Sequence, residues 1–172
     1  MARLKKIQRK YLPEFVYGGM DGSVTTFAIV SGTVGAALSP VIVIILGFAN
    51  LFADGFSMAA SNYLSTKSAQ DLKTVGDGKP PHKTACATFV AFVVVGFVPL
   101  LSFVAAIFFP ALEAQQFKIS IVLTALAFIV IGVERGHITN TSIFNSTLST
   151  LTIGGAAALI SYVIGYSLKS II

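Results

Sequence analysis

Five apolar stretches, at about 15–37, 41–64, 85–109, 117–135 and 148–168, are each long enough to cross about 30 Å of hydrocarbon as a helix. A bilayer offers no water to an unpaired amide or carbonyl, so a stretch of this length must satisfy its own backbone, as a helix does. The breaks between them carry turn chemistry: Leu-Ser-Pro ahead of Val41, Gly-Asp-Gly-Lys-Pro-Pro at 76–81, Phe-Phe-Pro at 108–110, and a polar run from Arg135. None of these breaks could hold a domain. The expected fold is therefore all-α, a polytopic membrane protein of five transmembrane helices forming a single transmembrane domain over 1–172, with no separate soluble domain. Pro99, inside the third span, should free a carbonyl and bend that helix.

Composition agrees on the solvent. With 55% hydrophobic residues and 11% charged, the chain lacks the polar surface to coat a soluble globule, and its mean hydropathy is +0.83. The basic N-terminus runs into Tyr-Leu-Pro-Glu without a small-residue cleavage pattern, so the first span is expected to be retained rather than removed as a signal peptide. Ten of the twelve basic residues fall on one side: Arg3, Lys5, Lys6, Arg9 and Lys10 before the first span, Lys67, Lys73, Lys79 and Lys83 between the second and third, and Arg135 after the fourth. Lys118 and Lys169 fall on the other. The excess of positive charge predicts a cytoplasmic N-terminus and a C-terminus on the opposite side. The pI near 9.5 follows from that topology and from the lipid bilayer as partner, and gives no argument for nucleic acid. One cysteine, Cys86, excludes an intramolecular disulfide and a multi-cysteine metal framework.

Against this apolar background stand two carboxylates, Asp21 in the first span and Asp54 in the second. An aspartate at mid-bilayer costs about 2.5–3.5 kcal/mol on insertion scales, and such residues mark ion or proton pathways, helix-helix hydrogen bonds or snorkelling ends. At 1.5 Å per residue Asp21 lies about 9 Å in from the cytoplasmic edge, Met58 about 8 Å and Asp54 about 14 Å. Asp54, Met58 and Asn62 share one helical face, with Ser57 and Ser61 adjacent, while Asp21, Thr25, Ala28, Gly32 and Gly35 form a small, polar stripe on the first span. The two stripes are expected to meet. Hard carboxylate oxygens joined by a soft thioether suit ferrous iron or manganese better than magnesium or calcium, although a methionine in a span also serves as core filling.

The motif VYGGMDGSVTTFAIVSG (16–32), followed by ADGFSMAASNYLSTKS (53–68), resembles the vacuolar iron transporter family, and IGVERGHIT (131–139) with LTIGGAAALISYVIGY (151–166) is similar to that family's last two helices. The resemblance covers most of the chain. It implies a homodimer of five-helix subunits that exports ferrous iron, and often manganese, from the cytosol in exchange for protons. The metal would be transported substrate, with no resident cofactor. Asp21 and Met58 match the family's aspartate and methionine on the translocation path, and Glu14 falls where the family places an acid at the cytoplasmic mouth. By that resemblance Asp21 would bind the ion and exchange protons, Met58 would discriminate against magnesium, and Glu14 would gather cations.

Two departures stand out. Family members often carry glutamate just before Tyr-Leu-Ser, whereas this chain has Asn62; Asp54 is expected to supply the missing carboxylate. The glutamate-rich cytoplasmic domain of the best-known eukaryotic members is replaced by the connection 65–84, whose Asp71, Asp77 and His82 are too few and too loosely spaced to stand in for it. His82 and Cys86, at i and i+4, are either a pair reaching across a dimer or an edge histidine and a buried thiol. Glu134 and Arg135 read as a local pair anchoring the fourth span, or with His137 as a proton relay. Gly18-x-x-x-Gly22 and Gly132-x-x-x-Gly136 permit close helix approach, in keeping with a dimer. The chain carries no Walker motif, no His-Glu zinc motif and no nucleophile elbow, which points away from an enzyme or ATP-driven pump and toward gradients. The compact chain favours a prokaryotic cell membrane over an organelle. Two other readings are a small proton-coupled exporter of organic cations, or a non-transporting scaffold whose aspartates hold helices together.

Overall fold

The computed structural model describes the backbone of residues 2–72 and 78–171, with side chains from Lys10 onward within those limits. Lys73 and Asp77 of the expected loop, and the side chains of Arg3, Lys5, Lys6 and Arg9, lie outside the described residues. Among the described residues all regular structure is helical: α1 (Ala2–Gly35), α2 (Pro40–Asp71), α3 (Pro81–Gly96), α4 (Leu101–Phe108), α5 (Gln116–Thr139) and α6 (Ile143–Lys169). A single 3-10 turn, Val98–Leu100, joins α3 to α4, so these two form one broken rod and the molecule has five rods. Four of them, Pro40–Asp71, Pro81–Phe108, Pro110–Thr139 and Ile143–Lys169, are long and apolar enough to cross a membrane.

The remaining rod, α1, owes its lower hydropathy to its place. It packs against α2, α3, α5 and α6, so much of its surface meets protein rather than lipid. Small residues make this possible. A Cβ on Gly18 would run into the Thr88 carbonyl oxygen and one on Gly22 into that of Phe92, so α1 and α3 touch backbone to backbone. On another side Gly32 and Gly35 lie against Ser161 and Tyr162 of α6, and the Ser161 hydroxyl donates to the Ala28 carbonyl. Gly132 and Gly136 meet the Cα atoms of Thr147 and Ile143 in the α5–α6 hairpin. Both Gly-x-x-x-Gly pairs thus serve close approach between the chain's own helices.

The rods extend past the apolar stretches. α2 continues from Ser65 through Asp71 because its polar residues leave the hydrophobic layer without bringing a glycine or proline, so the 65–84 connection is half helix. α3 likewise starts at Pro81, a residue suited to a first helical position. The α1–α2 turn closes with Ala37 in the left-handed region at φ 56°, where Leu38 N–H donates to the Thr33 carbonyl at 3.0 Å and Ala37 N–H to Val34 at 2.9 Å.

Pro99 does free a carbonyl, that of Val95 four residues earlier, and the structure supplies its replacement. Ser23 of α1, fully buried, donates its hydroxyl to the Val95 oxygen at 3.2 Å, while Ser120 of α5 donates to the Pro99 carbonyl at 2.6 Å. The break in the third rod is therefore clamped from two sides. Ser23→Ala removes the hydroxyl that reaches the Val95 carbonyl across the α1–α3 seam, and is expected to cost about 0.5–1.5 kcal/mol. Thermal unfolding of the detergent-solubilised protein checks this, and an unchanged midpoint would refute it. The apolar core lies beside this clamp, where Phe27, Val30, Val43, Leu51, Met58, Phe92, Leu100 and Phe103 pack together.

Candidate functional site

The polar residues of α1 and α2 meet through a register that the turn after α1 fixes. Asn50 of α2 donates from Nδ2 to Thr25 Oγ1 at 3.2 Å and lies 3.4 Å from Thr26 Oγ1; the Thr25 hydroxyl in turn donates to the Asp21 carbonyl at 2.8 Å. The helices run antiparallel, so one turn further along each brings Asp54 opposite Asp21. Both side chains are exposed on the surface of the single chain, as are Ser57 and Ser61 beside Asp54. Asp21 also lines a shallow groove of about 400 Å³ between α1 and α6, with Tyr17, Met20, Val24 and Ile153. Asn50 escaped the sequence reading, although a lone amide four residues before Asp54, on the same face of an apolar stretch, was the signal for it.

The stripes expected to meet do so around Thr25 and Asn50. Beyond Thr25, the α1 stripe turns to α6, where Gly32 and Gly35 are covered. On α2, Met58 is 8% exposed and belongs to the apolar core with Leu51 and Phe92. Asn62 faces α3: its Nδ2 donates to Thr88 Oγ1 at 3.1 Å and its Oδ1 accepts from Thr66 at 3.4 Å. That ladder continues as Thr66 meets Thr84 at 3.3 Å and Thr84 donates to the Pro81 carbonyl at 2.8 Å. A glutamate in place of Asn62 would bring a carboxylate into this ladder, which explains locally why an amide is accommodated.

Glu14 is buried, two turns from Asp21 on α1, and both its oxygens are held by Lys79 Nζ at 3.0 and 3.3 Å. Lys79, also buried, lies with its ammonium 5.9 Å from the centre of the Tyr11 ring. The pairing joins residues 65 positions apart and left no trace in the local sequence. His82 and Cys86 are both exposed, which corrects the buried-thiol reading of Cys86. Glu134, Arg135 and His137 are exposed as well, and among the described residues Glu134 and Arg135 form no ion pair, because neighbours in a helix point about 100° apart. Nor do any three His, Cys, Asp or Glu side chains of the described residues converge as a metal-holding group. The chemistry this leaves is a two-carboxylate face, bordered by hydroxyls and an amide, suited to passing a hard or borderline cation rather than enclosing one.

Comparison with known proteins bears on the same residues. The sequence pattern described as the VIT family matches residues 12–76 and 72–166. A vacuolar iron transporter of Plasmodium falciparum (isolate 3D7) is 44% identical over 66 residues, which make up 38% of this chain and 24% of that relative. One of Toxoplasma gondii (strain ATCC 50861 / VEG) is 48% identical over 62 residues, 36% of this chain and 20% of the relative. The chain thus matches about a quarter or less of these two relatives' length. Vacuolar iron transporter 1 of Eucalyptus grandis is 23% identical across 91% of this chain and 86% of its own. With the family pattern extending from the end of the basic segment to the last turns of α6, over both aspartates and all five rods, this chain is a member of the VIT family, an all-helical multi-pass membrane protein.

Proposed function

We propose that the protein is a homodimeric, proton-coupled exporter of ferrous iron, with manganese as a second cargo, that moves the ion from the cytosol along the face bearing Asp21 and Asp54. The observation that carries this reading is the exposure of two carboxylates on neighbouring helices that Asn50 and Thr25 hold in register. Left against lipid, such a face costs several kcal/mol. A second copy of the chain laid across it would remove that cost and, by two-fold symmetry, bring four carboxylates to one path. The relatives named as iron transporters support metal as the cargo.

Charge coupling then follows from electrostatics. Like charges facing each other in a weakly screened site are relieved either by a bound cation or by protons, so ion entry and proton release become alternatives at the same oxygens. Asn50 and Thr25 hold the two helices in register while this exchange occurs. Met58, folded into the core, reaches the path only by a change of rotamer, which its unbranched side chain permits. The basic N-terminal side is taken as cytoplasmic and α1 as the fifth span. The expectation of a prokaryotic cell membrane draws no support from relatives named for vacuoles.

Radioactive iron uptake into inverted vesicles, with and without an imposed proton gradient, tests the reading. Iron movement is expected to depend on the gradient. Organic cations moving in place of iron would identify the small-cation exporter, and no movement of either would leave the scaffold.

A further inference from the structure

Glu14 and Lys79 form a buried ion pair where the proposed path begins, and its geometry is that of an occupied cation site. Both carboxylate oxygens face one ammonium, at 3.0 and 3.3 Å, and the two side chains are 8% and 7% exposed. Lys79 delivers the ammonium from just ahead of α3, where its own backbone is held: Gln70, in the last turn of α2, donates from Nε2 to the Lys79 carbonyl at 2.8 Å, and Pro80 and Pro81 stiffen the backbone that follows. Glu14 and Asp21 are seven residues apart on α1, hence on nearly the same face and about 10 Å apart along the axis.

We propose that Lys79 is a tethered competitor that sets which ions enter: its ammonium occupies the cation position at Glu14, a divalent ion displaces it, and a monovalent ion does not. This rests on the transport reading above. The physical basis is a charge comparison. A buried carboxylate stripped of its partner is strongly disfavoured, so whatever replaces Lys79 must compensate the full charge of Glu14 and also overcome the advantage of a tethered rival. An ion of charge two at the same oxygens gains about twice the attraction of an ammonium, while potassium gains no more than the ammonium it would displace. Lys79 is thereby a specificity-determining residue beside the path rather than a ligand in it.

The test compares wild type with Lys79→Gln, Lys79→Met, Lys79→Arg and the double variant Glu14→Gln/Lys79→Gln, using manganese ion as probe. Binding to the purified full chain is read by electron paramagnetic resonance, and transport by uptake into proteoliposomes with potassium as challenger. Both neutral variants are expected to bind manganese about fivefold or more tightly, to show a correspondingly lower KM with the maximal rate within about twofold, and to become sensitive to potassium. Lys79→Arg should behave as wild type, and the double variant should lose the gain. A neutral variant that folds with unchanged or weaker manganese binding overturns the proposal, as does loss of folding in both neutral variants, which would make the pair a strut between α1 and α3. Wild type that binds but moves no ion fails the transport reading alone, because the binding comparison stands without it.

Discussion

On the proposed reading, Asp21→Asn is expected to abolish proton-coupled iron movement in proteoliposomes while leaving dimer assembly intact. The amide keeps the size of the carboxylate and its place in the groove with Tyr17 and Met20, so packing is little changed. What it removes is the charge that a cation sees and the oxygen that a proton can leave. Losing one partner of a charged contact that the proposed dimer would desolvate costs about 2–5 kcal/mol, or about thirtyfold to several thousandfold in affinity. Asp54→Asn, one helix away, is expected to impair transport less, because Asp21 then remains to bind and to titrate. Rates of gradient-driven uptake, measured side by side, check both. Unchanged uptake by Asp21→Asn would sink the mechanism; unchanged uptake by Asp54→Asn alone would remove only the idea that Asp54 stands in for the family's acid at Asn62.

Gly22→Leu is expected to prevent folding, the second large effect. A Cβ at Gly22 already meets the Phe92 carbonyl, its carbon at 3.0 Å and its Cα at 3.0 Å, all backbone atoms that no rotamer can move aside. The next residue, Ser23, donates to Val95 across the same seam, so pushing the helices apart also breaks the clamp on the Pro99 carbonyl break. Overpacking a core typically costs about 1–3 kcal/mol and more where backbone is in the way, and here the Ser23 hydrogen bond is lost as well. Yield of monodisperse protein after detergent extraction measures it. Gly155→Ala, on a face of α6 with open space around it, is the matched control and should extract like wild type.

Much of the fold could be read from the chain because membranes make the local code strict. Apolar length alone placed four rods, and the freed carbonyl at Pro99 follows from the missing N–H of one residue. The sequence was less informative where a residue's role depended on which helix lay opposite. Periodicity put Met58 and Asn62 on one face with Asp54, yet a helix in a bundle has several neighbours, and α3 took Asn62 through Thr88 while the core took Met58. In the same way the glycine pairs announced close contact without naming the partner. Loop boundaries were missed because the apolar signal ends at the edge of the hydrocarbon, whereas the α2 hydrogen-bond ladder continues to Asp71.

By itself, then, the sequence determined the solvent, the helical class, the family motif and the presence of two carboxylates that an apolar span tolerates only for a reason. Only the tertiary structure decided that these carboxylates share an open surface of α1 and α2, that Asn50 holds the two helices in register, and that Glu14 is closed by Lys79 from 65 residues away. The physical reason is the range of the forces. Hydrophobic length and backbone satisfaction act within one helix and are written along it, while ion pairs, hydroxyl clamps and backbone contacts act between helices whose neighbours are chosen by the packing of the whole bundle.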